Sequence, residues 1–329
     1  MATSTQANPP APSVDGDRAG LTFEPLNGAA FGAAVRGLDA GAITEDQETA
    51  IWRAYKAAHG LLCFRFDRLL EREELHALTA IFGDNEYAPG VVNGIGKRAL
   101  PGEEDQSIED QLEAVRARGE DPFISYIGNL NPATLKRVAT DPNFFGEWEW
   151  HTDMSYIDVP PTFSLLHARR IPTDGGDTGF CSQVMAARHL PDNLRRQIEG
   201  RRLKHDSTYS SNGTLRPGMT VPASPIEAEG AIHPILRAVP STGEEALFLG
   251  RRTNAYVVDM PLSESEALID ALWAHATQDA FCYRHHWREG EVVVWDNRML
   301  LHKRFPVDES LDRFMWRTQT KGEAVIAAD

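Results

Sequence analysis

Cysteine is scarce in this chain: Cys63, Cys181 and Cys282 are its only three, spread over 329 residues. No two form a C-x-x-C pair, which sets aside zinc ribbons and thioredoxin-like redox motifs. Each sits among apolar neighbours, as in Leu61-Leu62-Cys63-Phe64. Buried free thiols in a reducing cytoplasm are therefore expected. Long apolar runs are also missing. The sequence contains no stretch of 18 apolar residues, and its N-terminus lacks the apolar segment of a secretory leader. Neither a membrane span nor a signal peptide is expected. Basic residues are outnumbered, with 33 Lys and Arg against 48 Asp and Glu and a net charge of -15. Nucleic-acid binders carry a basic patch or stripe, so no such partner is expected. An acidic protein can still hold a locally basic site.

What the sequence does contain is enough apolar material for a sizeable core, at 42% hydrophobic residues. Residues 1–20 are rich in Pro, Ala, Ser and Thr without periodicity. They read as a disordered tail, followed by one domain over 21–329. Residues 21–35 look like a strand and turn. Residues 44–59 read as a helix, with Thr44 as N-cap and Gln47 completing a capping box. A buried strand is expected over 60–66. A second helix is expected over 69–82, its apolar stripe formed by Leu75, Leu78 and Phe82. Residues 97–121 are the most charged stretch and read as a loop with a short exposed helix. Either a solvated insertion or a lid fits that composition.

From Phe123 onward the texture changes. Short apolar or alternating runs at 123–127, 162–168, 246–249 and 291–296 are broken by Gly and Pro. That cadence belongs to an all-β sandwich or barrel. Helices interrupt it at 190–199 and at 263–277, the latter with Ser263 as N-cap and Glu266 in its first turn. The fold class is mainly β, a jelly-roll core with flanking helices.

His151-Thr152-Asp153, answered by a distant His302, is the most informative motif. Two imidazoles and a carboxylate match the facial triad of non-haem iron sites, which leaves other coordination positions open. On a strand, residues two apart share a face, so His151 and Asp153 can aim at one metal while Thr152 turns away. The same set also suits a zinc hydrolase. Four elements accompany it. Trp148 and Trp150 suit a strand entering a dry pocket. Gly175-Gly176-Asp177-Thr178-Gly179 permits close backbone approach and offers a hydroxyl. A strand from Val292 leads through Trp295-Asp296-Asn297-Arg298 to His302. Arg313 and Arg317 follow, four apart on one strand face, with guanidinium forks suited to carboxylates. The cluster around His285 and His286 does not suit a second metal, because adjacent strand residues point oppositely. His205, Asp206 and His233 read as structural. The polar loop from Tyr209 to Arg216 fits a cover over the site and a solvated turn equally.

With these motifs in order, residues 21–321 resemble the Fe(II)/2-oxoglutarate-dependent dioxygenases of the taurine dioxygenase and 2,4-dichlorophenoxyacetate dioxygenase group. The resemblance implies a double-stranded β-helix core. It implies Fe(II) on His151, Asp153 and His302. It implies 2-oxoglutarate as co-substrate, with its distal carboxylate on Thr178 and Arg313. Arg317 would lie near the substrate anion or the co-substrate's other end. Asn129 and Tyr126 precede the triad where the family carries substrate-facing residues. The implied reaction consumes O2 and 2-oxoglutarate, releases succinate and CO2, and hydroxylates an unactivated C–H bond of a small, anionic substrate. C–S, C–O or C–N cleavage can follow. A homo-oligomer, dimer or tetramer, is the family habit. The rival readings are the zinc-dependent hydrolase and a non-catalytic jelly-roll binding protein.

Overall fold

The computed structural model describes residues 19–89, 91, 106–138, 148–211, 213–250 and 253–328. Most of the expected tail, and 97–105 of the charged segment, lie outside the described residues. The chain opens with β1 (Thr22–Pro25) and β2 (Ala33–Arg36), the expected strand and turn made into an antiparallel pair. Helix α1 (Glu45–Ala57) begins at the expected capping box. The Gln47 amide donates to Thr44 Oγ1 at 3.3 Å, and the Thr44 amide donates to Gln47 Oε1 at 3.1 Å. Strand β3 (Leu61–Phe64) and helix α2 (Arg72–Ala80) follow. α2 starts later than periodicity suggested, because Glu71 and Glu74 close a capping box there. Phe82 lies just beyond it, and Leu75 and Leu78 face the core.

Within the charged segment, α3 (Ile108–Ala117) begins at Ser107, whose hydroxyl accepts from the Asp110 amide. The remaining strands are β4 (Ser125–Gly128), β5 (Phe163–Arg170) and β6 (Thr178–Ser182), then β7 (Arg202–Lys204), β8 (Ile232–Pro234), β9 (Leu236–Val239), β10 (Glu244–Leu247) and β11 (Tyr256–Val257). Last come β12 (Cys282–His285), β13 (Val292–Asp296), β14 (Leu300–Arg304) and β15 (Phe314–Gln319). Helices α4 (Gln183–Arg188), α5 (Asp192–Ile198) and α6 (Leu262–Ala276) complete the set. α4 is too short to show a period and was not foreseen. Ser182 caps it, accepting from the Met185 amide at 3.2 Å. α6 enters through Pro261, whose backbone is already extended there, so Ser263 falls inside the first turn and is not the cap.

A seven-stranded sheet runs β1-β2-β3-β13-β5-β15-β4, and a three-stranded sheet runs β12-β6-β14. In the large sheet β3 and β13 are adjacent, and every residue of both is buried. Their near-continuous apolar sequence follows from burial on both faces. β15 separates the two faces of the sheet by simple alternation. Thr318 faces α2, its hydroxyl 2.7 Å from that of Thr79. Trp316 lies on that side under the Arg169 guanidinium, 3.9 Å from its ring centroid. Arg317 and Gln319 point the other way, toward the three-stranded sheet. The site therefore lies between the two sheets.

The cysteines are closer than their sequence separation suggests. Cys181 and Cys282 are cross-strand partners on β6 and β12, with Sγ atoms 2.9 Å apart. All three thiols are free, and Cys282 is only half-buried.

Candidate metal centre and co-substrate site

His302 is the middle residue of β14. His151 lies opposite it in an isolated antiparallel bridge, each amide donating to the other's carbonyl at 3.0 and 2.8 Å. The approach through Trp148 and Trp150 is not a strand. That single bridge sets the register, and the two imidazole rings meet with centroids 4.2 Å apart. Asp153 is not on a strand either; it lies in a turn that Met154 closes with φ +49°. Thr152 nonetheless turns away, donating its hydroxyl to the Asn297 carbonyl at 2.8 Å. The ligand atoms of His151, Asp153 and His302 all lie within 4.8 Å of one another, and all three residues are buried.

Their chemistry suits a divalent metal. His151 Nδ1 lies 2.8 Å from the Glu149 carbonyl. A carbonyl only accepts, so Nδ1 carries a proton and Nε2 is the ring nitrogen that a metal would take. Burial drives His302 down to about 4, with the Asp153 carboxylate opposing and the Arg317 cation adding to the fall. Its ring is neutral at pH 7. Burial alone would raise the Asp153 carboxyl. The Arg317 cation foremost, with the Ser164 hydroxyl, reverses that and holds it far below the ordinary range. The site thus presents two imidazoles, that of His302 neutral, and one carboxylate.

Asp153 is held from several elements. Ser164 Oγ donates to its Oδ2 at 2.7 Å, Gln319 Nε2 to the same oxygen at 3.2 Å, and Arg317 Nη1 to Oδ1 at 3.2 Å. Asn297 in turn donates to Ser164 Oγ at 2.9 Å. Ser164, Asn297 and Gln319 were not foreseen as site residues. Gln319 was within reach of sequence reasoning, since it stands two residues from Arg317 and shares its strand face.

A second group assembles beside the Gly-rich turn. Gly175 and Gly176 adopt φ of +74° and +70°, and a Cβ on Gly176 would lie 3.2 Å from Arg313 Nε. The turn can pack on Arg313 because it lacks that atom. Thr178 Oγ1 accepts from Trp287 Nε1 at 3.0 Å, which leaves its own proton to donate. Arg313 is 2% exposed, and its Nε and Nη1 have no hydrogen-bond partner among the described residues. Burial, and then the neighbouring Arg304 cation, press its guanidinium down to about 9 against the pull of Asp177. Arginine keeps its proton, so the same forces amount to an unmet need for an anion. A dicarboxylate with one end on the metal and the other on Arg313 fits this donor set.

Two residues expected to face substrate do not reach the triad. Tyr126 pairs with Trp316 on the helix-covered face, and its ring stacks on Phe314 with centroids 6.2 Å apart. Its hydroxyl accepts from the Asp121 amide at 2.9 Å. Alternation places it opposite to Arg317. Asn129 is buried with both ends of its amide on backbone groups. The loop from Ser207 to Arg216 docks on the triad segment. Ser211 accepts from the Glu149 amide at 2.9 Å, and the Arg216 guanidinium lies 4.2 Å from the Tyr156 ring centroid. Asn212 of that loop is outside the described residues. Its neighbours make the loop a cover over residues 149–156, not a solvated turn.

The family model described as taurine catabolism dioxygenase TauD, TfdA family matches residues 22–319. The chain belongs to this family. Among TauD/TfdA relatives, it is 34% identical over 184 residues to the alpha-ketoglutarate-dependent 2,4-dichlorophenoxyacetate dioxygenase of Cupriavidus pinatubonensis, covering 55% of this chain and 63% of that protein. It is 30% identical over 229 residues to the (S)-phenoxypropionate/alpha-ketoglutarate-dioxygenase of Sphingobium herbicidovorans, covering 65% and 78%. In three dimensions it matches a taurine dioxygenase from Burkholderia xenovorans with a TM-score of 0.66 and 26% identity, over 94% of each chain. AAD-2 in complex with Mn(II) and N-oxalylglycine shares the fold, with a TM-score of 0.71 at 24% identity, over 94% of this chain and 99% of that one. The jelly-roll core is the TauD/TfdA fold.

A second cluster, Cys63, His285 and Glu291, also gathers ligand atoms within 4.8 Å. It is satisfied without a metal. Glu291 accepts from the His285 ring at 3.2 Å and the Arg288 amide at 3.0 Å, and pairs with Arg65 at 3.3 Å. His286 points away and pairs with Asp177. Burial, reinforced by Glu291, pushes the Cys63 thiol up to about 12.

The support of Asp153 has a measurable consequence. Ser164→Ala removes one donor to Oδ2 and frees Asn297 Nδ2 of its acceptor. Outer partners of this kind carry about 10- to 100-fold in metal affinity. Fe(II) titration under anaerobic conditions is expected to show a loss in that range.

Proposed function

We propose that this chain is an Fe(II)- and 2-oxoglutarate-dependent oxygenase that hydroxylates an unactivated C–H bond of a small, anionic organic substrate. His151, Asp153 and His302 would hold the iron. Thr178 and Arg313 would hold the distal carboxylate of 2-oxoglutarate. When bound, the iron, 2-oxoglutarate and O2 supply the oxidation, and succinate and CO2 leave. The chain's own residues do the rest. Ser164 and Gln319 orient the Asp153 carboxylate. Glu149 fixes the tautomer of His151. The two sheets bury the triad between them.

The observation that carries this reading is Arg313, a buried guanidinium with two nitrogens unpartnered among the described residues, beside Gly176 of the Gly-rich turn and the Arg304 cation of the strand that carries His302. A zinc hydrolase or a simple binding protein gives it no counter-ion. Anionic substrate preference has its own support. Arg317 keeps one nitrogen on Asp153, while its Nε is unpartnered. Both relatives above are named for aryloxyalkanoates, which are carboxylate anions.

The test is a panel of aryloxyalkanoates, alkylsulfonates and sulfate esters, scored by succinate release with Fe(II), 2-oxoglutarate and O2. Product masses then separate hydroxylation from cleavage. The expected result is substrate-stimulated succinate release that needs all three. Turnover without O2 and 2-oxoglutarate would establish the hydrolase instead.

A further inference from the structure

Arg313 precedes β15 by one residue, and the ladder to β5 begins only at Phe314. That ladder also shifts register between Phe314 and Met315. The neighbouring sheet strand therefore does not hold the Arg313 backbone. A buried arginine is placed no better than the backbone that carries it, and small misplacements in a binding site are costly.

We propose that Asn129 is a positioning residue for Arg313 and, through it, for the distal carboxylate of 2-oxoglutarate. The inference rests on the assignment of Arg313 made above. Asn129 follows β4, whose last residue, Gly128, pairs with Phe314. Both main-chain polar groups of Arg313 go to Asn129. The Asn129 amide donates to the Arg313 carbonyl at 3.0 Å, and the Arg313 amide donates to Asn129 Oδ1 at 2.9 Å. The other end of the carboxamide, Nδ2, donates to the Leu311 carbonyl at 2.8 Å. A side-chain amide carries the same donor and acceptor as a peptide group. Here it extends the ladder past the end of β4, spanning residues 311–313 with one side chain.

Burial sharpens the requirement. Asn129 is 3% exposed, so each lost partner leaves a buried polar group unpaired. Gly128 brings the two backbones together: its φ is +155°, and a Cβ there would lie 1.9 Å from the Arg313 carbonyl oxygen. Aspartate in place of Asn129 keeps the acceptor for Arg313 but cannot donate to Leu311. Alanine keeps neither side-chain bond.

The experiment is anaerobic calorimetry on the full chain, titrating Mn(II) and then 2-oxoglutarate. The variants are Asn129→Ala, Arg313→Ala and the double. Asn129→Ala is expected to weaken 2-oxoglutarate binding about 10-fold or more, with Mn(II) affinity unchanged. The double variant is expected to bind no more weakly than Arg313→Ala, and 2-oxobutyrate, which lacks the distal carboxylate, should not distinguish Asn129→Ala from the parent. Unchanged 2-oxoglutarate affinity overturns the proposal. So does additive loss in the double variant, or equal loss for 2-oxobutyrate, either of which would mark Asn129 as a general structural anchor. Should Asn129→Ala fail to fold, Asn129→Leu, which removes both side-chain bonds without emptying the space, is read by the same titrations, with the same outcomes deciding. A parent protein that takes Mn(II) but not 2-oxoglutarate overturns the functional reading with it. A parent that binds 2-oxoglutarate, with Arg313→Ala binding equally well, overturns the Arg313 assignment alone.

Discussion

His302→Ala is expected to abolish Fe(II)-dependent release of succinate from 2-oxoglutarate. The imidazole is one of three ligand groups in a buried cluster, and its Nε2 stands 3.8 Å from Asp153 Oδ1. Burial keeps it neutral, so its lone pair is available without first shedding a proton. Removing it leaves two ligands and a cavity that water enters. Loss of an outer partner costs about 10- to 100-fold, so loss of a ligand is expected to cost more than about 100-fold. The check is metal content and succinate release on one preparation, with Cys63→Ala as control. That control removes a member of the second cluster and is expected to leave iron stoichiometry unchanged. Turnover by His302→Ala without added imidazole would sink the triad assignment.

Arg313→Met is expected to separate binding from stability in opposite directions. In the ligand-free chain the guanidinium is buried with two unpartnered nitrogens, an arrangement that costs stability. A methionine of similar length fills the space without that cost, so the ligand-free melting temperature should hold or rise. With 2-oxoglutarate present the sign reverses. Truncating one partner of a buried, hydrogen-bonded charge pair costs about 2–5 kcal/mol. At about 1.4 kcal/mol per tenfold, that raises the KM for 2-oxoglutarate by roughly 30- to 4000-fold. Melting curves with Mn(II), with and without 2-oxoglutarate, check both halves. A destabilised ligand-free variant with unchanged KM would show Arg313 to be an ordinary core residue.

Much of this was legible in the primary structure because it depends on short-range rules. The Thr44–Gln47 capping box is a contact between residues three apart, and it forms as read. The shared face of Arg317 and Gln319 is strand parity. The triad's residue types follow from the coordination preferences of a divalent metal. Other readings reached the right residue through the wrong geometry. His151 and Asp153 converge through a bridge and a turn, not through two positions of one strand.

The errors share a cause. Tyr126 obeys parity, yet parity alone does not say which face of its strand meets the triad; that is set by pairing with Trp316 nearly two hundred positions away. Asn129 was expected to face substrate, but its amide is taken up by Leu311 and Arg313, which lie 182 and 184 residues further on. Cys181 and Cys282 read as isolated for the same reason. The sequence by itself determined the Thr44–Gln47 cap, the alternation along β15 and the closeness of His151 to Asp153, since each depends on residues a few positions apart. Only the tertiary structure decided which strand face looks into the site, which polar groups are already spent on backbone, and that two Arg313 nitrogens are buried with no partner among the described residues. Those are properties of sheet pairing, and pairing is settled by packing over the whole chain.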